Sequence, residues 1–425
     1  MRVSLIINTY NRLHTLPLTL ESMNQLRYPN LEVIVVDGPS TDGTRSYLEE
    51  TWQGKIKILT CPQANLSISR NIGLLAASGD IIIYTDDDAI PEPDWIEQLI
   101  QPYQDPGIAC VGGFARDHTG VEYQTQYIVS DRHGGSDEKI TDPALLPACL
   151  TGHMKFPRPI GVNSSFRRSS LLEIGGFDEE YAYFYDEVDV ALRLIDAGYK
   201  INFAPQAEVH HKYAKSHIRT QQGIPRTWLP IARSTAYYCV RNASPGQTFE
   251  VTLRVLENHR QRLISHTHWA IHHGSLDPEK SSQLFNDIEL GMHEGIFDAF
   301  STPWRKLISP CPDDPQPWLE FLRTKPAGQR RRLAFVTDLY PPRPCGGIAV
   351  FIHNLAKELA RLGHEITVIT FAANGCPHTV DFEDGVWVHR LPPSSASTLG
   401  MTEIPYCLLY TSDAADEEDS VDLGG

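Results

Sequence analysis

Residues 81–88 read Ile-Ile-Ile-Tyr-Thr-Asp-Asp-Asp, an apolar run that ends in three adjacent carboxylates. The apolar part predicts a buried strand with the carboxylates at its C-terminal end. Three adjacent negative charges repel one another, so a fold that places them at a strand end favours a bound cation there. Oxygen ligands suit Mg²⁺ and Mn²⁺, and Mg²⁺ is commonly shared with substrate phosphates. Asp86 and Asp88 are therefore candidate metal ligands, with a solvated acidic turn before Pro91 as the alternative.

The sequence before this stretch repeats a strand-then-helix pattern. Residues 3–8 and 31–36 are apolar strands, and apolar residues at helical spacing begin at Leu13. Near-continuous Val and Ile strands that alternate with helices predict the α/β class, with a parallel sheet covered on both faces. The second strand ends at Asp37, so we expect Asp37 and the acidic triplet at neighbouring strand ends, where α/β sheets bind ligands.

Five blocks of the N-terminal half together resemble the family 2 glycosyltransferases of the GT-A fold, a nucleotide-diphospho-sugar transferase fold. They are Val3–Arg12, Val33–Thr44, Ser69–Asp80, Tyr84–Ile96 and Gly161–Leu194. The resemblance implies an inverting hexosyltransferase that moves a sugar from a nucleotide-sugar donor, expected to be a UDP-sugar, to the hydroxyl of a glycan or lipid-linked acceptor. It also implies Mg²⁺ or Mn²⁺ as the cofactor and a place in polysaccharide or glycoconjugate synthesis.

Carried over by position, the resemblance implies two sets of binding residues. Those that bind the nucleotide sugar would be Thr9, Tyr10, Asp37, Arg70, Asp87 and Asn163. Those that hold the metal would be Asp86, Asp88 and a histidine at the end of a later strand, His210 or its neighbour His211. The family often has a second acid after the one at position 37, whereas this chain has Gly38, which leaves the choice of nucleotide less defined.

An acceptor hydroxyl is a poor nucleophile at neutral pH and needs a general base. Candidates occur in the segment Phe184–Asp189, which apolar spacing predicts to begin an amphipathic helix. Acids in a first turn also serve as helix caps without any catalytic role. The usual family order is Glu-Asp with the Asp as base, but this chain has Asp186-Glu187. The resemblance therefore aligns Glu187 with the base and leaves Asp186 as its rival.

Composition limits the function classes. The formal net charge of the 425 residues is −16, which argues against general binding of nucleic acid. The sequence shows no apolar run of about 18 residues and no signal peptide. We therefore expect a cytoplasmic protein, peripheral to the inner face of the plasma membrane if its acceptor is lipid-linked. The eight cysteines show no paired spacing that would indicate a zinc site.

The pattern changes after the first domain, which we predict to span residues 1–224. A helical segment and linker are predicted over residues 225–328, with helices at 228–241 and 247–273. Residues 329–406 begin a new α/β unit. This unit resembles the opening of a family 4 glycosyltransferase of the GT-B fold, and we expect a truncated, inactive Rossmann-like unit.

The last segment, residues 407–425, breaks the α/β pattern. Its beginning, Cys407–Glu417, resembles the translation of a sequencing-adapter sequence. We therefore expect an artefact there and exclude it from functional reasoning. A natural acidic tail is the alternative.

Two other function classes have to be weighed. A nucleotidylyltransferase also combines an α/β domain with acid-bound Mg²⁺, but it would carry a Gly-rich basic loop after the first strand, and residues 8–12 contain no glycine. A non-catalytic scaffold that binds a nucleotide or sugar has no need for the intact carboxylates Asp86, Asp88 and Glu187.

Overall fold

A computed structural model describes residues 1–392 except 215–217, 219, 221–223, 245, 302–303, 310–315, 324–328 and 344–345. The segment interpreted as an adapter artefact, 407–425, lies outside the described residues. The chain forms two compact units, Met1–Arg323 and Thr324–Gly425.

The first unit alternates strands and short helices as far as His211. Its strands are β1 (Val3–Thr9), β2 (Leu31–Asp37), β3 (Lys57–Thr60), β4 (Ile81–Asp86), β5 (Ala89–Pro91), β6 (Ile108–Arg116), β7 (Tyr123–Thr125), β8 (Tyr127–Asp131), β9 (Ser136–Ile140), β10 (Lys155–Arg158), β11 (Ser164–Arg167) and β12 (Lys200–His211). The intervening helices are α1 (Leu16–Ser22), α2 (Thr44–Trp52), α3 (Leu66–Ala76), α4 (Trp95–Ile100), α5 (Arg168–Glu173) and α6 (Asp186–Asp196).

Nine of these strands form one mixed sheet in the order β3-β2-β1-β4-β11-β6-β12-β5, with β7 paired to β6. Its first four strands are parallel, and β11 joins them to β6 in antiparallel orientation. A smaller antiparallel sheet has the order β10-β8-β9. The α/β class and the parallel N-terminal half of the sheet agree with the sequence prediction.

Both faces of the main sheet are buried, as the continuous apolar strands predict. Successive side chains point to opposite faces, so β1 sends Ile6 to one apolar cluster and Leu5 to the other. On β4, Ile82 and Ile83 divide in the same way. The sheet is therefore the centre of a three-layer core, and its strand ends are rigidly placed.

Three helices follow the sheet: α7 (Leu229–Arg241), α8 (Phe249–His272) and α9 (Pro278–Ser301). The first two match the predicted helices, and α9 was not predicted. Glycine allows α9 to approach α7 closely, because a Cβ on Gly291 would lie 2.7 Å from the carbonyl oxygen of Leu229. Apolar residues of these helices join the same core cluster as α6. Within the described part, no helix combines the length and apolar character needed to cross a membrane.

The second unit contains a four-stranded sheet and one described helix. The strands are β13 (Arg332–Val336), β14 (Glu365–Phe371), β15 (Thr379–Glu383) and β16 (Val386–Leu391), in the order β13-β14-β16-β15, and the helix is α10 (Gly347–Arg361). The first three strands of that order are parallel, which agrees with the predicted α/β unit. A small core forms where α10 packs on the sheet through Ala356 against Ile366 and Val368.

Candidate active site

The register of the parallel strands brings the predicted site residues together. Thr9 is paired with Asp37, and Asn8 is paired with Asp86. A cavity of about 630 Å³ opens at these strand ends. Its lining includes Thr9, Tyr10, Gly38, Ser69, Asp86 and His211. The carboxyl ends of a parallel sheet are where α/β folds bind their ligands, so this cavity is the candidate active site.

Two acidic side chains and one histidine converge at the cavity. His211 Nε2 lies 3.4 Å from Asp88 Oδ1 and 3.8 Å from Asp86 Oδ2. One ligand atom from each of the three residues lies within 4.8 Å of the others. The second carboxylate oxygen of Asp88 accepts a hydrogen bond from the backbone N–H of Ala214 at 2.7 Å. The chain beyond β12 therefore helps to orient Asp88.

The histidine of this group is His211, and the expectation of His210 as the ligand is corrected. Neighbouring side chains of β12 point to opposite faces of the sheet, so only one of the two can face the aspartates. His210 is buried and its Nε2 lies 2.8 Å from Glu92 Oε1. The sequence alone does not show which of two adjacent histidines at a strand end faces the aspartates. The register of β12 against β5 determines it.

The geometry of His211 fits a metal ligand. Its Nδ1 lies 2.9 Å from Gln124 Oε1, and a carboxamide oxygen can only accept a hydrogen bond. Nδ1 therefore carries a proton in either charge state of the ring, and a cation bound beside the two aspartates would replace the proton on Nε2. Together with the carboxylate oxygens of Asp86 and Asp88, this donor set can hold a divalent cation. Gln124 had no recognisable signal in the sequence.

Arg12 adds a positive charge that the sequence analysis did not single out. Its Nε lies 3.5 Å from Asp87 Oδ1, and its Nη1 lies 3.9 Å from Asp88 Oδ2. Burial raises the pKa of Asp87 to about 7, although Arg12 opposes that rise. Burial would also raise the pKa of Asp88, but the hydrogen bond and charge of His211, together with Arg12, lower it to about 2. Asp88 is therefore ionised at neutral pH.

Gly38 and Tyr10 face each other at the wall of the cavity. A Cβ on Gly38 would lie 3.2 Å from Tyr10 Cβ, so a larger residue there would press on the tyrosine. The neighbouring Asp37 is buried and its Oδ1 accepts a hydrogen bond from Ser40 Oγ at 2.7 Å. Burial raises the pKa of Asp37, against the effect of that hydrogen bond. Because Gly38 follows Asp37, β2 ends with one carboxylate, where the family often has two.

Arg70 connects the strand-end group to the start of α6. It is buried, and its Nη1 forms an ion pair with Asp186 Oδ2. The guanidinium carbon also lies 5.6 Å from the ring centroid of Tyr84 and 5.2 Å from that of Phe177. These contacts fix Arg70 in place, with its guanidinium held against Asp186 rather than facing solvent.

Asp186 and Glu187 begin α6 after a strained turn. Tyr185 has a φ of 68°, an uncommon conformation for a bulky residue, and its hydroxyl donates to Gly134 O at 2.8 Å. Asp186 is buried, while Glu187 keeps part of its side chain accessible and lies with Oε1 3.5 Å from Arg158 Nη1. The accessible carboxylate of the two is therefore Glu187.

The two carboxylates have opposite pKa shifts. Burial raises the pKa of Asp186 to about 8, against the charge of Arg70. Burial would also raise the pKa of Glu187, but Arg158 and hydrogen bonding to Asp186 lower it. Groups whose environments separate their pKa values in this way are typical of acid and base sites.

Asn163 was expected to bind the nucleotide sugar, and the structure corrects this expectation. Its side chain is fully buried, and its Nδ2 donates to the carbonyl oxygens of Phe114 and Ala207, each at 2.8 Å. Its Oδ1 accepts from Trp95 Nε1 at 2.9 Å. These bonds use both amide protons, so Asn163 is a structural link inside the sheet and has no donor left for a ligand.

Comparison with known proteins finds two families that match parts of the chain. The family described as Glycosyl transferase family 2 matches residues 4–175, and the one described as Glycosyl transferase 4-like domain matches residues 346–409. The glucosyl-dolichyl phosphate glucuronosyltransferase of Haloferax volcanii is 32% identical over 234 residues, which cover 50% of this chain and 69% of that protein. The O-antigen chain rhamnosyltransferase RfbN of Salmonella typhimurium is 26% identical over 226 residues, which cover 50% of this chain and 67% of that protein.

The chain spans less of some other relatives. The pre-mycofactocin glycosyltransferase of Mycobacterium tuberculosis is 29% identical over 209 residues, which cover 49% of this chain and 41% of that protein. Among solved structures, S. aureus TarS 1-349 in complex with UDP-GlcNAc has a TM-score of 0.45 and 14% identity, and the match covers 70% of this chain and 89% of that one. The family matches and the Haloferax relative establish the classification. The chain belongs to the family 2 glycosyltransferases of the GT-A fold, and it carries a glycosyltransferase 4-like domain after its family 2 domain.

Proposed function

We propose that the first unit is an inverting, metal-dependent hexosyltransferase that uses a nucleotide-diphosphate sugar, with a UDP-sugar as the expected donor. The observation that carries the proposal is the convergence of Asp86, Asp88 and His211 at one end of a cavity large enough for a nucleotide. The same cavity is lined by Thr9 and Tyr10, which we assign to the nucleotide base. We assign Asp37 to the uracil or ribose.

Asp86, Asp88 and His211 would hold Mg²⁺ or Mn²⁺. When bound, the cation would act as a Lewis acid that stabilises the charge of the departing diphosphate. Asp87 lies between the ligands and is paired with Arg12, which supports a place near the ribose or the metal. Arg70 would contribute positive charge near the diphosphate while it holds Asp186.

Glu187 would act as the general base. Its carboxylate removes the proton of the acceptor hydroxyl, and the resulting oxygen attacks the anomeric carbon in a single displacement. The bond from that carbon to the diphosphate breaks, so the sugar is transferred with inversion and the nucleoside diphosphate leaves. The low pKa of Glu187 keeps it ionised at neutral pH and therefore able to accept the proton.

We infer a glycan or lipid-linked acceptor. The support comes from two relatives, one named for glucosyl-dolichyl phosphate and one for an O-antigen chain. With a lipid-linked acceptor, the reaction would take place at a membrane surface. We propose the cytoplasmic face for it, with peripheral contact.

The test is calorimetric titration of the full chain with UDP, GDP and dTDP, each with and without Mn²⁺. We expect one nucleotide to bind only with the metal, and the Asp88→Asn variant to lose that metal-dependent binding while its circular dichroism is unchanged. Equal nucleotide affinity in the parent and in Asp88→Asn would refute the metal assignment. Failure of a folded parent to bind any nucleotide would refute the donor-site proposal itself.

A further inference from the structure

A second group of buried charges lies one turn into α6. Asp189 is fully buried, and its Oδ2 accepts a hydrogen bond from Arg193 Nε at 2.6 Å. Its other oxygen accepts from Arg305 Nη1 at 2.5 Å. Arg193 is a neighbour on the same helix, but Arg305 follows α9, more than a hundred residues along the chain. A distant segment therefore supplies part of the charge that keeps Asp189 ionised.

The same guanidinium reaches a second buried carboxylate. Asp178 Oδ2 lies 3.3 Å from Arg305 Nη1 and accepts a hydrogen bond from the Tyr237 hydroxyl at 2.9 Å. The other amino group of Arg305 donates to Asn242 Oδ1 at 2.7 Å. The planar fork of arginine presents two amino nitrogens to these three partners in a fixed geometry, whereas lysine has a single ammonium nitrogen.

The residues around Arg305 are docked on the turn that contains Asp178. The backbone N–H of Ile308 donates to Gly175 O, and that of Glu179 donates to Lys306 O, each at 3.0 Å. A Cβ on Gly175, whose φ is 81°, would lie 2.8 Å from Leu307 Cβ. Any larger residue at position 175 would therefore clash with the segment 304–309. Backbone hydrogen bonds as well as ion pairs hold this segment against the turn.

Both elements that Arg305 joins lead to the candidate active site. α6 begins with the paired carboxylates, one turn before Asp189. The turn at Asp178 is held by Asn71, whose Oδ1 accepts from Phe177 N at 2.9 Å and whose Nδ2 donates to Phe177 O at 2.8 Å. Asn71 directly follows Arg70, the partner of Asp186. Loss of Arg305 would remove a cation from two fully buried carboxylates, Asp178 and Asp189, which favours displacement of both elements.

We propose that Arg305 is a positioning residue of the transferase: by joining Asp178 to Asp189, it fixes α6 and so places Glu187 and Asp186. The segment 225–309 is then an integral part of the catalytic unit rather than an appended one. The catalytic consequence rests on the proposed function. The placement of α6 does not, and it can be measured separately.

The experiment compares the full-length parent with Arg305→Lys and Arg305→Met by hydrogen exchange and by turnover. Lys306→Met is the matched control, because it removes the adjacent cation, whose exposed side chain pairs with Glu180. In both Arg305 variants we expect amides of α6 and of residues 177–181 to exchange faster by about tenfold or more, while β1 and β2 keep their protection. Lys306→Met should leave the amides of α6 protected.

Turnover is followed as nucleoside diphosphate released from the nucleotide sugar that the parent cleaves. Because a small misplacement of a catalytic group costs about 100-fold, we expect kcat to fall about 10- to 100-fold with the donor KM nearly unchanged. The double variant Arg305→Met/Asp189→Asn should lose no more than Arg305→Met alone, since the two residues act through one another.

Arg305→Lys keeps a cation at this position, so it replaces Arg305→Met in both measurements if Arg305→Met does not fold. Unchanged exchange in α6, or acceleration spread equally over β1 and β2, would overturn the proposal. A raised donor KM with an unaffected kcat would do the same. If the parent cleaves none of the nucleotide sugars offered, the proposed function fails, and the exchange experiment still decides the role of Arg305.

Discussion

Glu187 Oε1 lies 3.5 Å from Nη1 of Arg158, an arginine whose side chain is almost completely buried. The Nε of Arg158 also donates to Ser130 Oγ at 2.8 Å, and its Nη1 donates to Pro159 O at 3.0 Å. These hydrogen bonds to β8 and to the residue after β10 hold the guanidinium in place. Its charge opposes the effect of burial and lowers the pKa of Glu187.

This contact predicts a shift in the pH profile. Removing the charge in Arg158→Met should raise the pKa of Glu187, because the ionised carboxylate loses its nearby cation while its burial remains. An opposite charge at such a distance shifts a pKa by about 1–3 units, so the acidic limb of the kcat profile should move to higher pH by about that amount. Arg158→Lys should shift it much less. A limb that does not move in Arg158→Met would show that Glu187 does not set the profile.

The identity of the base is tested by amide substitutions. Glu187→Gln should lower kcat by about 10²- to 10⁴-fold with nucleotide affinity retained, because the amide cannot take the acceptor's proton. Asp186→Asn should cost less, since its carboxamide oxygen can still accept a hydrogen bond from Arg70. Steady-state kinetics of both variants, with calorimetry for nucleotide affinity, makes the comparison. The reverse order of losses would assign the base to Asp186.

Metal binding should depend on His211 rather than on His210. His211→Ala removes a ligand and should weaken Mn²⁺ binding strongly, whereas His210→Ala should leave the affinity for Mn²⁺ nearly unchanged. Gln124→Ala should weaken binding about 10- to 100-fold, because the imidazole then loses the partner that fixes its tautomer and orientation. Electron paramagnetic resonance of free Mn²⁺ measures all three affinities. Equal losses in the two histidine variants would contradict the assignment.

The strand ends could be predicted from sequence because they depend on local patterns. The Val and Ile runs that end at Asp37 and Asp86 specify buried parallel strands, and parallel pairing alone brings their ends together. The choice between His210 and His211 could not be predicted, because it depends on a one-residue parity that only the register fixes. Asn163 was misassigned since its three hydrogen-bond partners come from distant strands and a helix.

Contacts between residues that are distant in the sequence were the main features that the sequence could not predict. Arg305 is an ordinary arginine in the sequence, and only the folded chain shows that it meets Asp178 and Asp189. The same holds for Arg12, which adjoins the predicted nucleotide site but whose pairing with Asp87 requires two strands to meet. Helix α9 was missed as well, although residues 284–299 carry apolar side chains that enter the core.

A buried ion pair between Glu32 and Lys57 gives a stability prediction that does not depend on the proposed function. Glu32 is fully buried on β2, where it pairs with Lys57 Nζ at 2.9 Å and accepts hydrogen bonds from Ser4 Oγ at 2.5 Å and Ser78 N at 2.8 Å. Burial would raise the pKa of Glu32, but these partners lower it below the ordinary value of 4.5. Glu32→Ala removes the counter-charge of Lys57 and the acceptor of both hydrogen bonds, so it should reduce the free energy of unfolding by about 3–5 kcal/mol.

The pH dependence of that loss has a defined sign. A carboxylate whose folded pKa is depressed stabilises the protein above its unfolded pKa, and this contribution disappears as the pH falls through the folded value. The difference between the parent and Glu32→Ala should therefore be largest near neutral pH and should shrink below about pH 4.5. Urea unfolding followed by tryptophan fluorescence measures it, with Glu49→Ala as the control. Glu49 pairs with Arg45 at the surface and should cost only about 0–1 kcal/mol. A Glu32→Ala deficit that persists undiminished at acid pH would mean that the ionised carboxylate is not the stabilising group.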